Sequence, residues 1–180
     1  MSDKVREFVS FSIYLLIVLI VSYLFVHFVA QRTIVNGRSM EDTLFDGDNL
    51  LVDKISYRFG DPDRFDVIVF KYVHEKNTYY VKRVIGLPGE TVQIDNSGNI
   101  YINGQLLEEH YGFEQMESPG IASNPITLGE NEYFVLGDNR NNSSDSRASQ
   151  VGPIDKSIIV GRAWIRMWPL HSAGKVDSIK

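Results

Sequence analysis

The sequence predicts a mainly β protein, one antiparallel domain forming a two-sheet sandwich or partly closed barrel behind a single N-terminal transmembrane helix. Three observations predict it. Phe8 to Gln31 (FVSFSIYLLIVLIVSYLFVHFVAQ) carries no formal charge when His27 is neutral. From about residue 33 onward the chain breaks into short segments rich in Val, Ile, Tyr and Phe, set apart by turn residues, which is how strands read. Beyond the apolar run no helical period stands out.

The apolar run comes first. As a helix it would be about 36 Å long, enough to cross a hydrocarbon core of about 30 Å with some tilt. A cleaved signal peptide has a shorter apolar stretch and a small-residue cleavage site, whereas this run ends Phe28-Val29-Ala30-Gln31. A buried core helix is rarely so long without a charge. The division expected is therefore a tail over 1–7, an anchor over 8–31 and a β domain over 32–180. Lys4 and Arg6 flank one side of the run and Arg32 and Arg38 the other, so the positive charges leave the orientation undecided.

The expected strands follow in order: Asn49–Ile55, Asp66–Tyr72, Thr78–Ile85, Thr91–Asp95, Asn99–Asn103, Tyr133–Leu136 and Ile158–Trp168. Gly86-Leu87-Pro88-Gly89 is a tight turn by composition, and Asp95-Asn96-Ser97-Gly98 a hairpin turn. Glu108–Glu130, with Pro119, Gly120 and Pro125, is the least regular stretch and reads as a surface excursion.

Composition narrows the chemistry. A chain of 180 residues with a formal net charge of −5 has no basic footprint for nucleic acid. The absence of cysteine removes thiol nucleophiles, disulfides and cysteine-based zinc sites. With the thiol gone, a hydroxyl is one candidate nucleophile, and Ser39 in Asn36-Gly37-Arg38-Ser39-Met40 raises the question of its base. Of four histidines, His27 lies in the apolar run and His74, His110 and His171 lie in turn-like or terminal contexts. Gly37-Arg38-Ser39-Met40-Glu41 also departs from the G-x-S-x-G elbow at its last position.

Lys82 is the other kind of base. It sits mid-strand in Tyr79-Tyr80-Val81-Lys82-Arg83-Val84-Ile85. Strand alternation sends Lys82 and Arg83 to opposite faces, so one of the two cations should point to the packed side. A lysine desolvated there releases its proton more readily, while an exposed lysine in the same strand is merely solvated. The loop from Gly137 to Arg147 (GDNRNNSSDSR) has three readings: a plain polar loop, a calcium site, or a bracing shell. Its spacing fails the EF-hand template, with Arg140 at an early ligand position. As a bracing shell, Asp145 and Arg147 would pair while Ser143 and Ser146 offer hydroxyls to a neighbouring catalytic group.

Taken in order, the apolar run, Gly-Arg-Ser-Met, Tyr-Val-Lys-Arg-Val-Ile-Gly-Leu-Pro-Gly and the Gly137–Arg147 loop resemble the bacterial type I signal peptidases, membrane-bound Ser-Lys proteases that remove signal peptides. The resemblance runs on through Gly152-Pro153 to Gly161-Arg162-Ala163, and the compact chain resembles the Gram-positive form. It implies Ser39 as nucleophile and neutral Lys82 as general base. It implies Ser143 as the serine that hydrogen-bonds the lysine, Asp145 and Arg147 as the pair bracing the site, and Gly137 and Asp138 as the opening of the same loop. Met40 would line the substrate groove, and the main-chain N–H of Ser39 would serve the oxyanion. No metal or cofactor is implied. The partners implied are membrane lipid and secretory preproteins with small residues at −1 and −3. The domain would lie on the outer face of the cell membrane.

Two positions depart from the family. Asp42 replaces the usual proline three residues after the nucleophile, which should loosen the turn and places Glu41 and Asp42 near the serine. Gly37 stands where some members carry a hydroxyl that assists the oxyanion, leaving backbone donors or a weaker hole. A self-cleaving repressor or a conjugation-linked peptidase is the nearest alternative. From another class comes a membrane-tethered β domain with impaired catalysis that acts as a binding partner.

Overall fold

The computed structural model describes residues 3–28 and 30–176. Helix α1 spans Asp3–Phe28, and its described side chains face outward along the apolar stretch Lys4–Tyr23. Strand β1 (Ala30–Ile34) follows almost at once, so the helix ends three residues before the expected limit of the anchor. The reason is pairing: Ala30 to Ile34 zip antiparallel onto Asp53 to Asn49 of β2 (Asn49–Asp53), and that ladder captures backbone groups a longer helix would have used.

The domain then runs through the one-turn helix α2 (Ser56–Phe59), β3 (Val67–Lys71), β4 (Tyr79–Gly86), β5 (Thr91–Ile94), β6 (Ile100–Ile102), β7 (Gln105–Leu106), β8 (Ile126–Thr127), β9 (Glu132–Leu136), β10 (Ile154–Asp155), β11 (Ile159–Trp168) and β12 (Gly174–Lys175). The larger sheet is ordered β1-β2-β11-β3-β4-β9-β10, with β12 alongside β11; the smaller is β7-β6-β5-β8. Every pairing is antiparallel. The two-sheet expectation is met. The larger sheet stays open between β1 and β10, so the fold is not a closed barrel.

All seven expected strands form; most are shorter by a residue or two, while β4 runs one residue further, to Gly86, and β9 begins one residue earlier, at Glu132. The strands that sequence reading missed are β1, hidden in the tail of the apolar run, and the two-residue β7, β8, β10 and β12, too brief for any period. Helix α2 and the 3-10 turns at Gly120–Ser123, Arg140–Asn142, Lys156–Ile158 and Leu170–Ser172 are likewise single turns.

Strand β3 shows why an unbroken apolar run can be a strand. Val67 and Val69 pack with Met40, Leu44, Leu50 and Val52 on one face, while Ile68 and Phe70 pack with Tyr133, Val135 and Ile154 on the other. Both faces are covered, so the period-2 alternation is between two apolar environments. A third cluster joins the sheets, with Ile85, Phe134 and Leu136 against Val92, Ile94 and Ile100. The Glu108–Glu130 stretch is more than a surface excursion. Met116, Ala122 and Leu128 from it are buried in that third cluster and cap it.

Candidate active site

Ser39 sits at the head of a tight turn between β1 and β2. The N–H groups of Thr43 and Leu44 both donate to Met40 O, at 2.9 and 2.8 Å, and Glu41 N donates to Arg38 O at 3.2 Å. Leu44 and Met40 are buried in the core beneath the turn, which pins it from below. Asp42 does not leave this turn loose. Besides those backbone bonds, the Arg38 guanidinium pairs with Glu41 at 3.0 Å, and Asn139 N donates to Ser39 O at 3.1 Å. Asp42 itself points outward.

Lys82 is 3% exposed, and its Nζ donates to Ser39 Oγ at 2.8 Å and to Val81 O at 2.9 Å. The Tyr80 ring lies 5.1 Å from Nζ and is itself stacked on Tyr72. Burial lowers the Lys82 ammonium from its ordinary 10.5 to about 8, with Asp145 and Asp138 pulling weakly the other way. Near neutral pH a useful fraction of the amine is thus unprotonated, and at hydrogen-bond distance it can accept the serine proton. No histidine lines this groove among the described residues.

The expectation that one of the two adjacent cations would be buried understates the result, since Arg83 is buried as well, 1% exposed. Lys82 meets burial by giving up its proton more readily, at about 8 in place of 10.5. Arg83 cannot, and is neutralised by Asp138, with Nε to Oδ1 at 2.9 Å and Nη2 to Oδ2 at 2.7 Å. Its Nη1 donates to Phe65 O, and the Tyr111 ring covers the guanidinium at 3.7 Å.

The loop after β9 braces the site. Asp145 accepts both Nε and Nη2 of Arg147, at 2.8 and 2.9 Å, and also Gly137 N at 3.1 Å. Arg147 reaches on to Ser118 O and Arg140 O. The two carboxylates of the loop are thus each engaged by an arginine. Gly137 has its Cα against Ser143 and the Ser39 carbonyl, where a Cβ would overlap both.

Two expected bonds differ. Ser143 Oγ is buried beside Gly137 but finds no hydrogen-bond partner among the described residues, so the bond to Lys82 implied by the resemblance is not formed here. Ser146 does not face the site; its Oγ accepts Val135 N at 3.0 Å and fastens the loop to β9. Gly37 adopts φ +101°, and its N–H donates to Asp46 Oδ1 at 2.8 Å, which leaves no Gly37 N–H for an oxyanion. Asp46, Thr43 and Tyr111 were not anticipated; isolated polar and aromatic residues carry no motif.

A groove of about 460 Å³ opens over Ser39 and Lys82, walled by Val35, Met40, Tyr79 and Ser144 among others. A larger hollow of about 900 Å³ lies over the smaller sheet and includes neither residue.

A serine within hydrogen-bond reach of a buried lysine at an open groove, on a fold of two antiparallel sheets, is an arrangement suited to a serine protease. Comparison narrows the class. Residues 6–168 match the family of signal peptidases, peptidase S26. A signal peptidase I of Leptolyngbya laminosa is 42% identical over 156 residues, covering 83% of this chain and 74% of its own. The signal peptidase I P of Bacillus subtilis subsp. natto is 39% identical over 163 residues, covering 87% and 86%. A crystal structure of a signal peptidase I from Enterococcus faecalis superposes with a TM-score of 0.48 at 35% identity, over 57% of this chain and 97% of that one. The chain belongs to the signal peptidase family, peptidase S26, and is a signal peptidase serine protease.

Proposed function

We propose that the chain is a membrane-anchored endopeptidase that cuts signal peptides from secreted preproteins with Ser39 as nucleophile and Lys82 as general base. The observation that carries the proposal is the 2.8 Å contact between Lys82 Nζ and Ser39 Oγ, made by a lysine that burial has shifted to about 8. Ser39 Oγ attacks the carbonyl carbon after the last signal-peptide residue while Lys82 Nζ takes its proton. The tetrahedral oxyanion is stabilised by the Ser39 N–H. Collapse breaks the C–N bond, and Lys82 returns the proton to the departing amine. Lys82 then takes a proton from water, hydroxide attacks the acyl-serine, and Ser39 recovers its proton as the signal peptide leaves.

The substrate would be an extended segment with small side chains at −1 and −3, and a free strand edge supports the extended part of that reading. Tyr79 to Arg83 of β4 pair with β3, but β9 joins β4 only from Arg83 onward, so one edge of Tyr79–Lys82 faces the groove. A peptide can add there as a strand. Asp145, Arg147, Gly137 and Asp138 hold the loop that supports the pair, and Met40 floors the groove.

Helix α1, 26 residues and about 39 Å long, suits a bilayer span. Residues 1–7 would lie on the cytoplasmic side and the β domain on the outer side of the cell membrane. Seven residues from Arg32 to Ser39 reach at most about 25 Å, which keeps the site close to the bilayer where preproteins emerge. Both carboxylates beside the nucleophile are kept off it, Glu41 by Arg38 and Asp42 by its outward direction, which favours the enzyme over an inactive binding domain.

The test is cleavage of a preprotein with an Ala-x-Ala site by the full chain in detergent, beside Ser39→Ala and Lys82→Ala. Cleavage after the alanine, abolished in both variants, is expected. Activity surviving Lys82→Ala would assign the base elsewhere.

A further inference from the structure

Thr43 lies four residues beyond the nucleophile, carries no motif, and is 2% exposed. Its Oγ1 donates to Asp138 Oδ2 at 2.5 Å and accepts from Arg83 Nη2 at 3.1 Å. One hydroxyl proton and one lone pair are therefore both in use, an arrangement that serine can reproduce and valine or alanine cannot.

These bonds join three separate segments. Thr43 closes the turn that Ser39 opens, since its N–H donates to Met40 O. Arg83 is the residue after Lys82 on β4. Asp138 precedes Asn139, whose N–H holds the Ser39 carbonyl. The nucleophile turn is thus fastened to the loop at both ends, at Ser39 O and at Thr43 Oγ1. Apart from the contact of Lys82 with Ser39 itself, the Thr43 end is fastened to the strand that carries the lysine, through Arg83. A closed path runs Ser39, Thr43, Arg83, Lys82 and back through the 2.8 Å contact. Buried charge-assisted bonds of this kind are stiff, so the path fixes the separation of the reacting groups.

We propose that Thr43 is a positioning residue of this protease, its hydroxyl locking the Ser39 turn to the Lys82 strand in the register that proton transfer needs. The proposal rests on the reading of Ser39 and Lys82 as nucleophile and base. Other contacts hold the fold locally: Leu44 is fully buried, Arg166 Nη1 donates to Thr43 O at 3.3 Å, and the Arg83–Asp138 pair persists without the hydroxyl. Loss of the hydroxyl should therefore displace the turn slightly and leave the domain folded. A small displacement is costly to catalysis, because misplacement by about 1 Å can lower a rate about a hundredfold.

The experiment measures kcat, KM and thermal unfolding of the full chain in detergent for Thr43→Val, Thr43→Ser and Thr43→Ala, with Ser39→Ala as baseline, at a temperature where each is folded. The expected result is a kcat lower by about tenfold or more in Val and Ala, with KM within about twofold, and recovery of kcat to within about twofold in Ser. Valine that keeps kcat within about twofold overturns the proposal. So does a loss carried by KM, or an equal loss in Ser and Ala, since those two differ only by the hydroxyl. If the valine variant does not fold, the Ser and Ala pair decides by the same criterion. Full activity in Ser39→Ala would instead refute the underlying assignment of the nucleophile, whatever the Thr43 variants do.

Discussion

Replacing Lys82 by methionine should abolish cleavage and change how stability depends on pH. In the folded chain burial lowers the lysine from 10.5 to about 8. Below about pH 8 both folded and unfolded chains hold the proton, and the folded state bears the whole cost of a buried ammonium. That cost is about 3 kcal/mol, at about 1.36 kcal/mol for each tenfold change in acidity. Between about 8 and 10.5 the unfolded chain binds more protons than the folded one, so stability rises with pH. Above that window neither state is protonated at this site and the cost is gone. Methionine has a similar shape and no proton, so its variant lacks this rise. The wild type should therefore gain about 2 kcal/mol relative to Lys82→Met between pH 7 and 9.5. Urea unfolding of both full chains in the same detergent, followed by tryptophan fluorescence, measures the difference while other titrating groups cancel. The same ionisation sets an acid limb in kcat/KM, with activity falling about fivefold from pH 8 to pH 7 as the neutral amine is depleted. A stability difference that stays flat with pH, or moves in the opposite sense, would refute the account of the lysine as a base made by burial.

Asp145→Asn should strand the buried Arg147 guanidinium and cost about 3–5 kcal/mol of stability, read by urea unfolding. Because Asp145 raises Lys82, its removal should also move the acid limb of kcat/KM to lower pH. Gly137→Ala puts a methyl group against Ser143 and the Ser39 carbonyl; kcat should fall about a hundredfold as the nucleophile is pushed aside. Ser143→Ala removes a buried hydroxyl without a partner among the described residues. Its stability should stay within about 0.5 kcal/mol of wild type or rise. A larger loss would mean that the hydroxyl does have a partner in solution.

The positions of the longer strands were legible because β3, β4, β9 and β11 are long enough to show their β-branched and aromatic content. The open form of the larger sheet was not, since it depends on how β1 and β10 end up at opposite edges, and neither has a sequence period of its own. The apolar run announced a helix, yet not its end. Ala30 and Gln31 are as apolar or uncharged as their neighbours, and only their pairing with Asp53 and Val52 assigns them to a strand. In the site, Ser39 and Lys82 could be singled out by elimination and resemblance. Their supports divide by reach: Asp145 and Arg147 sit two apart in one loop, whereas Thr43, Arg83 and Asp138 meet from positions up to 95 residues apart, and no spacing announces that Thr43 joins the other two.

The adjacent cations of β4 show what alternation could not say. Period-2 geometry sends neighbouring side chains to opposite faces, and on a strand with one wet face that would bury one charge and solvate the other. Here both sides are covered near the site, so both charges are buried and each needs its own remedy. An arginine stays charged and requires a carboxylate, which fixes Asp138 and through it the loop. A lysine can meet the same burial by losing its proton more readily, provided no carboxylate pairs with it directly, and among the described residues none does: its bonds go to a hydroxyl and a carbonyl. The carboxylates that do act on it are already bound to arginines and only moderate its shift. The chemistry of Lys82 thus depends on Asp138 and Asp145 being occupied elsewhere. Breaking either arginine pair without removing the carboxylate should raise the lysine and silence the enzyme near neutral pH. Arg147→Met tests this: the acid limb of kcat/KM should move to higher pH, opposite to Asp145→Asn, and identical shifts in the two variants would sink the argument.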